Sequence, residues 1–413
     1  MELVERHIIT KNNKEWKKID KLCLFSKALY NRSLYLIKNH YKDTSKFLRY
    51  KILDKKIREE ENELYTLLPN NSSQQTLILL DRNFKSFFAA LRAWKKDKSK
   101  FESCPQPPNY KKKDGRNIVI FTNNQAKLKD GFIKFPKRTE LKSLKTKVDN
   151  LQQVRIVPRS SCYIIEVIYK KEVVDHNLNK DNYLAIDLGI NNLATITTNQ
   201  PGLKPILING KPLKSINQYY NKKKAQLQSE LQKNHNKKWS NKLSRLTLKR
   251  GNKIDYYMHH VSKFVVNYCV ENDIGNIIIG YNKDWKQDVN MGKKNNQSFV
   301  MVPFLKLISQ IGYKSELNSI EVIKIEESYT SKCSALDLEE ICRHDEYVGK
   351  RKSRGLFKWS GGLLNADVNG SLNILRKVAK DDGFVHLFSR GCVDQPVKVN
   401  PLQSEQYKFS LKL

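Results

Sequence analysis

The chain has 413 residues and carries 76 Lys and Arg against 42 Asp and Glu, a formal net charge of +34. A soluble core needs no such excess, which opposes compactness by self-repulsion, so the charge points to a polyanionic partner and away from a neutral or acidic one. No apolar run approaches the ~20 residues of a membrane span, the N-terminus MELVERHIITKNNKEWKK lacks the apolar core of a secretory signal, and the seven scattered cysteines form no CxxC pair, as expected of reduced thiols in a cytosolic protein.

Residues 1–10 read as a strand, with Leu3, Val4, His7, Ile8 and Ile9 as its apolar members. Residues 13–96 are helical in period, through Ile19, Leu22, Leu29 and Leu34. The segment Leu68–Leu77 supplies a turn and an N-cap, and a helix then runs through Leu80, Phe84, Phe87, Phe88, Leu91 and Trp94, whose aromatics read as core packing. Pro-Gln-Pro-Pro-Asn-Tyr110 breaks that helix. Short strands are expected at 117–121, 131–135, 153–158 and 162–169, closing with the first strand into a small β-barrel interrupted by the helical insert. Residues 181–330 alternate strand and helix and so predict an α/β unit. Within it, 213–270 form a basic helical pair turning at Asn234–Trp239. Basic runs recur along the whole length, which fits a long channel or an extended duplex better than one small patch.

Two acids carry the chemistry. Asp187 ends the apolar run Leu184-Ala-Ile-Asp187, a strand that presents a carboxylate at its tip. Asp367 opens the amphipathic stretch Val368, Leu372, Ile374, Leu375, a helix with its acid in the first turn. Two converging carboxylates can hold divalent metal against a phosphodiester, as a nuclease of the RNase H type requires. A third acid is expected after the strand Asn276–Tyr281, but Gly280 stands there.

The ordered set IDLGINN, NIIIGYNKDWKQ, EESYTSK and NADVNGSLNI resembles the TnpB family, transposon-encoded RNA-guided nucleases ancestral to type V CRISPR effectors. The resemblance implies a multidomain α/β protein. Residues 1–10 and 105–180 would form a wedge β-barrel, interrupted by a helical recognition lobe at 11–104. Residues 181–330 and 364–380 would form a RuvC/RNase H-like nuclease domain, with a degenerate zinc-ribbon-like insert at 331–363 and a basic tail at 381–413. It further implies cutting of double-stranded DNA by one RuvC site, guided by RNA from the transposon end. The protein would act as a monomer or as a dimer on one RNA, in the bacterial cytoplasm with the nucleoid and away from membranes. The implied cofactor is a pair of Mg²⁺ ions, or Mn²⁺, on Asp187, Glu327 and Asp367.

Two departures from the family pattern shape these expectations. Most members carry glutamate where this chain has Gly280. A subset resembles this chain in pairing a glycine there with a displaced glutamate, here Glu327. If the strand Val322–Glu326 pairs beside Asn276–Tyr281, the two tips lie about 5 Å apart and Glu327 reaches the space the glycine leaves. Glu326 is the backup, because neighbouring strand residues face opposite sides, and Asp284 is a weaker candidate. Of the family's two CxxC pairs only Cys333 is present, with Phe357–Gly362 where the second pair would be, so zinc is expected to be absent and Leu356, Phe357 and Trp359 to hold the loop by packing. The competing readings are a nuclease-inactive, RNA-guided DNA-binding repressor and a strand-joining transposase.

Overall fold

The computed structural model describes residues 1–282, 297, 299–353, 355–379 and 393–403, in two compact units, Met1–Lys171 and Glu172–Leu413. In the first unit, strand β1 (Glu2–Thr10) leads into helices α1 (Trp16–Thr44), α2 (Tyr50–Glu60), α3 (Asn62–Thr66) and α4 (Asn70–Lys96). Strands β2 (Val119–Thr122), β3 (Lys127–Lys129), β4 (Phe132–Lys134), β5 (Leu144–Lys145), β6 (Leu151–Pro158) and β7 (Cys162–Lys170) follow.

The expected barrel does not close among the described residues. β1, β7, β6 and β2 form an open antiparallel sheet in that order, and β3, β4 and β5 form a separate meander. Helices supply the cover that closure would have given. Leu29 and Leu34 of α1 and Leu77 and Leu80 of α4 are fully buried in one core with Val119, Phe121, Val154 and Ile156 of the sheet. Each such side chain contributes about 1.5–3 kcal/mol of burial free energy, so the apolar face has no need of a further strand. The expected cap also differs. Helix α4 begins after Pro69 with no side-chain cap, while Ser72 and Ser73 turn inward to Gln125 Oε1 (3.1 Å) and the Tyr65 carbonyl (2.6 Å). Farther along α4, Phe84 is buried as expected, but Phe88 is 36% exposed.

The second unit is an α/β layer. Its strands are β8 (Tyr183–Leu188), β9 (Asn192–Thr198), β10 (Ile206–Asn209), β11 (Asn276–Gly280), β12 (Glu321–Ile325), β13 (Lys350–Ser353), β14 (Leu356–Trp359), β15 (Gly362–Asn365) and β16 (Val397–Val399). Its helices are α5 (Lys211–His235), α6 (Asn241–Glu271), α7 (Phe304–Glu316) and α8 (Ala366–Arg376). Helices α5 and α6 form the basic pair expected between 213 and 270. Among the described residues no helix is long and apolar enough to cross a membrane.

The main sheet runs β12-β11-β8-β9-β10-β16. β8, β11 and β12 are parallel, β9 is antiparallel to both of its neighbours, and β16, from the segment read as a tail, lies parallel to β10. Strand alternation splits the sheet's side chains between two cores. Leu184, Ile186, Ile277 and Ile279 join one core with Val261 and Val265 of α6 and Leu307 of α7. Ala185 and Ile278 join the other, with Val368, Leu372 and Leu375 of α8. The same alternation turns positions 187 and 280 toward α8.

Candidate active site

Asp187 and Gly280 end neighbouring parallel strands, since Ile186 pairs with Ile279 in register, and Gly280 in turn pairs with Ile325. Positions 187, 280 and 325 therefore form one row at the carboxyl ends of β8, β11 and β12. The chain continues from β8 into β9 on one side and pairs with β11 on the other, so β8 is where the strand order reverses. In open α/β sheets, ligands bind at that place.

The ladder extends past β11, where the Tyr281 amide donates to the Ile325 carbonyl (2.8 Å). The Glu327 amide then donates to Asn282 Oδ1 (2.8 Å). This hold turns the Glu327 side chain into the space above Gly280. A Cβ built on Gly280 would lie 2.8 Å from Glu327 Cγ, 2.8 Å from Glu327 Oε1 and 2.5 Å from Ile374 Cδ1. A side chain at 280 would displace Glu327 and Ile374 from these positions. Lys377, just beyond α8, donates to the carbonyls on either side, Glu326 (2.8 Å) and Ser328 (3.0 Å). Glu326 itself is exposed, and its carboxylate accepts from the Ser328 hydroxyl.

Helix α8 presents Asp367. Asn365 caps the helix, its side chain accepting from the amides of Asp367 (3.0 Å) and Val368 (3.3 Å). Asn192, at the start of β9, donates from Nδ2 to Asp367 Oδ2 (2.8 Å). Arg351, on β13 of the insert, stands 3.9 Å from Asp367 Oδ1. Helix and strand come close because Gly370 has no side chain: a Cβ there would lie 3.0 Å from Asp187 Oδ2. Ser371 fixes this approach by bonding Thr197 Oγ1 (2.9 Å) and the carbonyls of Ala185 and Thr195 (3.2 and 3.1 Å). Asn369 and Asn373 both reach the Cys333 carbonyl (2.8 and 2.7 Å) and tie the preceding loop to α8.

The electrostatics reflect crowding of like charge. Burial, then the charges of Glu327 and Asp367, push the Asp187 carboxyl well above the ordinary carboxylate range, against the opposing pull of Arg351. Burial raises Glu327 to about 7, with Lys377 pulling the other way. Glu327 Oε1 is buried and has no hydrogen-bond partner among the described residues. A divalent cation placed among such desolvated acids would restore their charged forms. Among the described residues, no group of three His, Cys, Asp or Glu side chains stands so as to hold a metal ion by itself. Mg²⁺ does not require one, since it keeps several waters and takes one or two carboxylates together with substrate phosphates. The hard oxygen donors Asp187, Glu327 and Asp367 fit Mg²⁺ or Mn²⁺.

In the insert, Cys333 is a buried free thiol. Cys342 Sγ lies 3.4 Å from His344 Nε2. The strands β13, β14 and β15 form a small antiparallel sheet. Phe357 is buried at its centre, so close to Gly349 that a Cβ there would lie 2.4 Å from the ring, whereas Leu356 is 36% exposed. Asp284 lies outside the described residues. The sequence reading missed Asn192, Arg351, Asn282 and Lys377. Asn192 and Asn282 stand inside the quoted motifs, two to five residues from Asp187 and Gly280, and that adjacency was the available signal.

Residues 166–286 match the family described as OrfB_IS605, probable transposase, and residues 304–374 match the Cas12f1-like TNB domain. No curated protein matches. Among solved structures, a Cas12f1–sgRNA–target DNA complex is similar at a TM-score of 0.52 and 14% identity, over 88% of this chain and 83% of that one. The mini-RNA-guided endonuclease CRISPR-Cas_phi3 aligns at a TM-score of 0.44 and 10% identity, over 91% of this chain and 92% of that one. The Cas12f1 likeness is one of fold, a mixed α/β architecture shared across most of both chains. The two family matches follow one another along the motif-bearing half, which is similar to the TnpB (OrfB_IS605) proteins and their Cas12f1-like relatives.

Proposed function

We propose that the protein is an RNA-guided, metal-dependent DNA endonuclease with a single cutting site, of the TnpB subgroup in which a displaced glutamate faces a glycine. The observation that carries this reading is Glu327 beside Gly280, which supplies a third carboxylate next to Asp187 where the central strand has none. The sheet order, with β9 antiparallel between β8 and β10, supports an RNase H-type nuclease core. The net charge of +34 supports a nucleic-acid partner. The fold-level likeness to a Cas12f1 complex with sgRNA and target DNA makes guide RNA and target duplex the partners of choice. Guide pairing would supply sequence specificity, while the protein reads backbone shape and a short flanking motif.

Asp187, Glu327 and Asp367 would hold two Mg²⁺ or Mn²⁺ ions, which supply an activated water and stabilise the departing 3′ oxygen. Around them, Asn192 fixes the orientation of Asp367, and Lys377 and Asn282 fix the loop that carries Glu327. Arg351, unlike these, carries positive charge to the mouth of the site, where an incoming phosphate would meet it.

The test uses protein purified with its copurifying RNA, a matching DNA duplex and Mg²⁺. Cutting by the unaltered protein and by Glu326→Ala, with binding but no cutting by Asp187→Ala and Glu327→Ala, is the expected pattern. Tight guided binding without cutting by the unaltered protein would replace the nuclease with a repressor. Strand-joined products would favour a transposase.

A further inference from the structure

The exposed face of α4 carries a feature outside the carboxylate site. Arg82, Lys85, Phe88, Arg92 and Lys95 are all exposed at spacings of three and four, so they share one helix face. Arg49, which precedes α2, closes the other side, and with Lys85, Phe88, Leu91, Arg92 and Lys95 it lines a cavity of about 390 Å³. That volume is in the range that takes a small ligand.

Lys85 pairs with Asp81 at 2.8 Å. Arg49, Arg92 and Lys95 make no ion pair among the described residues, and Arg49 instead stacks over Phe47 at 5.7 Å. Phe88 is held at its edge by Phe47, Phe84 and Phe87, with ring centroids 5.4, 6.2 and 5.2 Å away, yet it remains 36% exposed. The unpaired cations Arg49, Arg92 and Lys95 around this aromatic surface repel one another until an anion arrives. A planar base on Phe88, with its flanking phosphates on Arg49, Arg92 and Lys95, satisfies both features at once.

We propose that this cavity is a subsite for an unpaired nucleotide of the protein's RNA. The proposal rests on the reading of the protein as RNA-guided and is independent of whether the carboxylate site cuts. RNA is chosen because recognition of RNA targets unpaired bases splayed onto aromatic rings, whereas a target duplex offers none in its paired state.

The experiment is ultraviolet crosslinking of the full chain with its copurifying RNA in EDTA, followed by tryptic mapping. The adduct is expected on the peptide Ser86–Arg92. Phe88→Ala should abolish it and weaken binding of single-stranded RNA by about five- to a hundredfold, the range for loss of one base–aromatic stack. Phe88→Trp should retain both, and a melting temperature unchanged in Phe88→Ala would show that the fold is intact. RNA adducts confined to other peptides, or unchanged affinity in Phe88→Ala, would overturn the subsite while leaving the guided-nuclease reading in place. An adduct formed only with added single-stranded DNA would overturn the assignment to RNA. A protein that neither copurifies with RNA nor binds it would overturn the functional reading itself.

Discussion

Glu327 fills the space that a side chain at Gly280 would need: a Cβ there would lie 2.8 Å from both Cγ and Oε1 of the glutamate. The two positions are mutually exclusive for bulk, so one carboxylate from either strand fits and two do not. Gly280→Glu is therefore expected to abolish DNA cutting and to lower the melting temperature, because the new side chain meets Glu327 and Ile374 together. The double variant Gly280→Glu with Glu327→Gly removes the collision and puts an acid back on the central strand. It should recover cutting at least tenfold over either single variant in a guided cleavage assay. Recovery no better than the singles would show that the third carboxylate does not act through this space.

The pH dependence of stability follows from the same burial. Glu327 has an ordinary value of 4.5, raised to about 7 by desolvation. Between those limits the folded protein keeps a proton that the unfolded chain has lost. Its stability therefore declines as pH rises through that window. In EDTA, the melting temperature of the unaltered protein should fall between pH 5 and pH 8 relative to that of Glu327→Gln, whose side chain does not titrate. Added Mg²⁺ should flatten the difference by favouring the charged carboxylate. Parallel curves for the two proteins in EDTA would show that Glu327 is not desolvated in solution.

These relationships were unevenly legible in the sequence. The apolar run before Asp187 and the amphipathic stretch after Asp367 show their strand and helix directly, since local periodicity determines both. The choice between Glu326 and Glu327 needs register. Positions 323, 325 and 327 alternate onto the face of Gly280, but only the observed pairing of Gly280 with Ile325 fixes that alignment. The open sheet in the first unit was beyond reach for a related reason. Strands as short as Lys127–Lys129 and Leu144–Lys145 carry no mark of their partner, so β-rich sequence around a helical insert reads equally well as a closed barrel. Val397–Val399 is likewise too short to stand out from a tail, yet it pairs with β10. Phe88 misled because a helix's aromatic residues read as core until the neighbours that cover each one are known.

Lys377 joins the loop of Glu327 to the helix of Asp367 through two backbone carbonyls, 2.8 and 3.0 Å from its ammonium. Lys377→Met should reduce cutting about 10- to 100-fold, the usual scale for losing a group that orients a metal ligand. Guided DNA binding should be unaffected. Lys377→Arg, which can still reach both carbonyls, should restore most of the rate. Equal loss in Met and Arg variants would mean that packing at this position, and not the clamp, is what matters.

Asn192 is the one side chain that donates a hydrogen bond to Asp367, at 2.8 Å among the described residues. It sits at the first residue of β9, so the turn after Asp187 delivers the group that orients the acid on the opposite element. Without it, Asp367 is left to the pull of Arg351 at 3.9 Å, which draws the carboxylate toward the insert. Asn192→Ala should therefore raise the Mg²⁺ concentration needed for half-maximal cutting by about tenfold or more, with little change in the rate at saturating metal. Asn192→Asp sets a like charge against the Asp367 carboxylate and should be worse than alanine in metal-free stability, yet gain relative to it as Mg²⁺ is added. A Mg²⁺ titration of cutting, run beside thermal melts of the three proteins in EDTA, separates orientation from charge. Identical metal requirements for the unaltered protein and Asn192→Ala would remove Asn192 from the site.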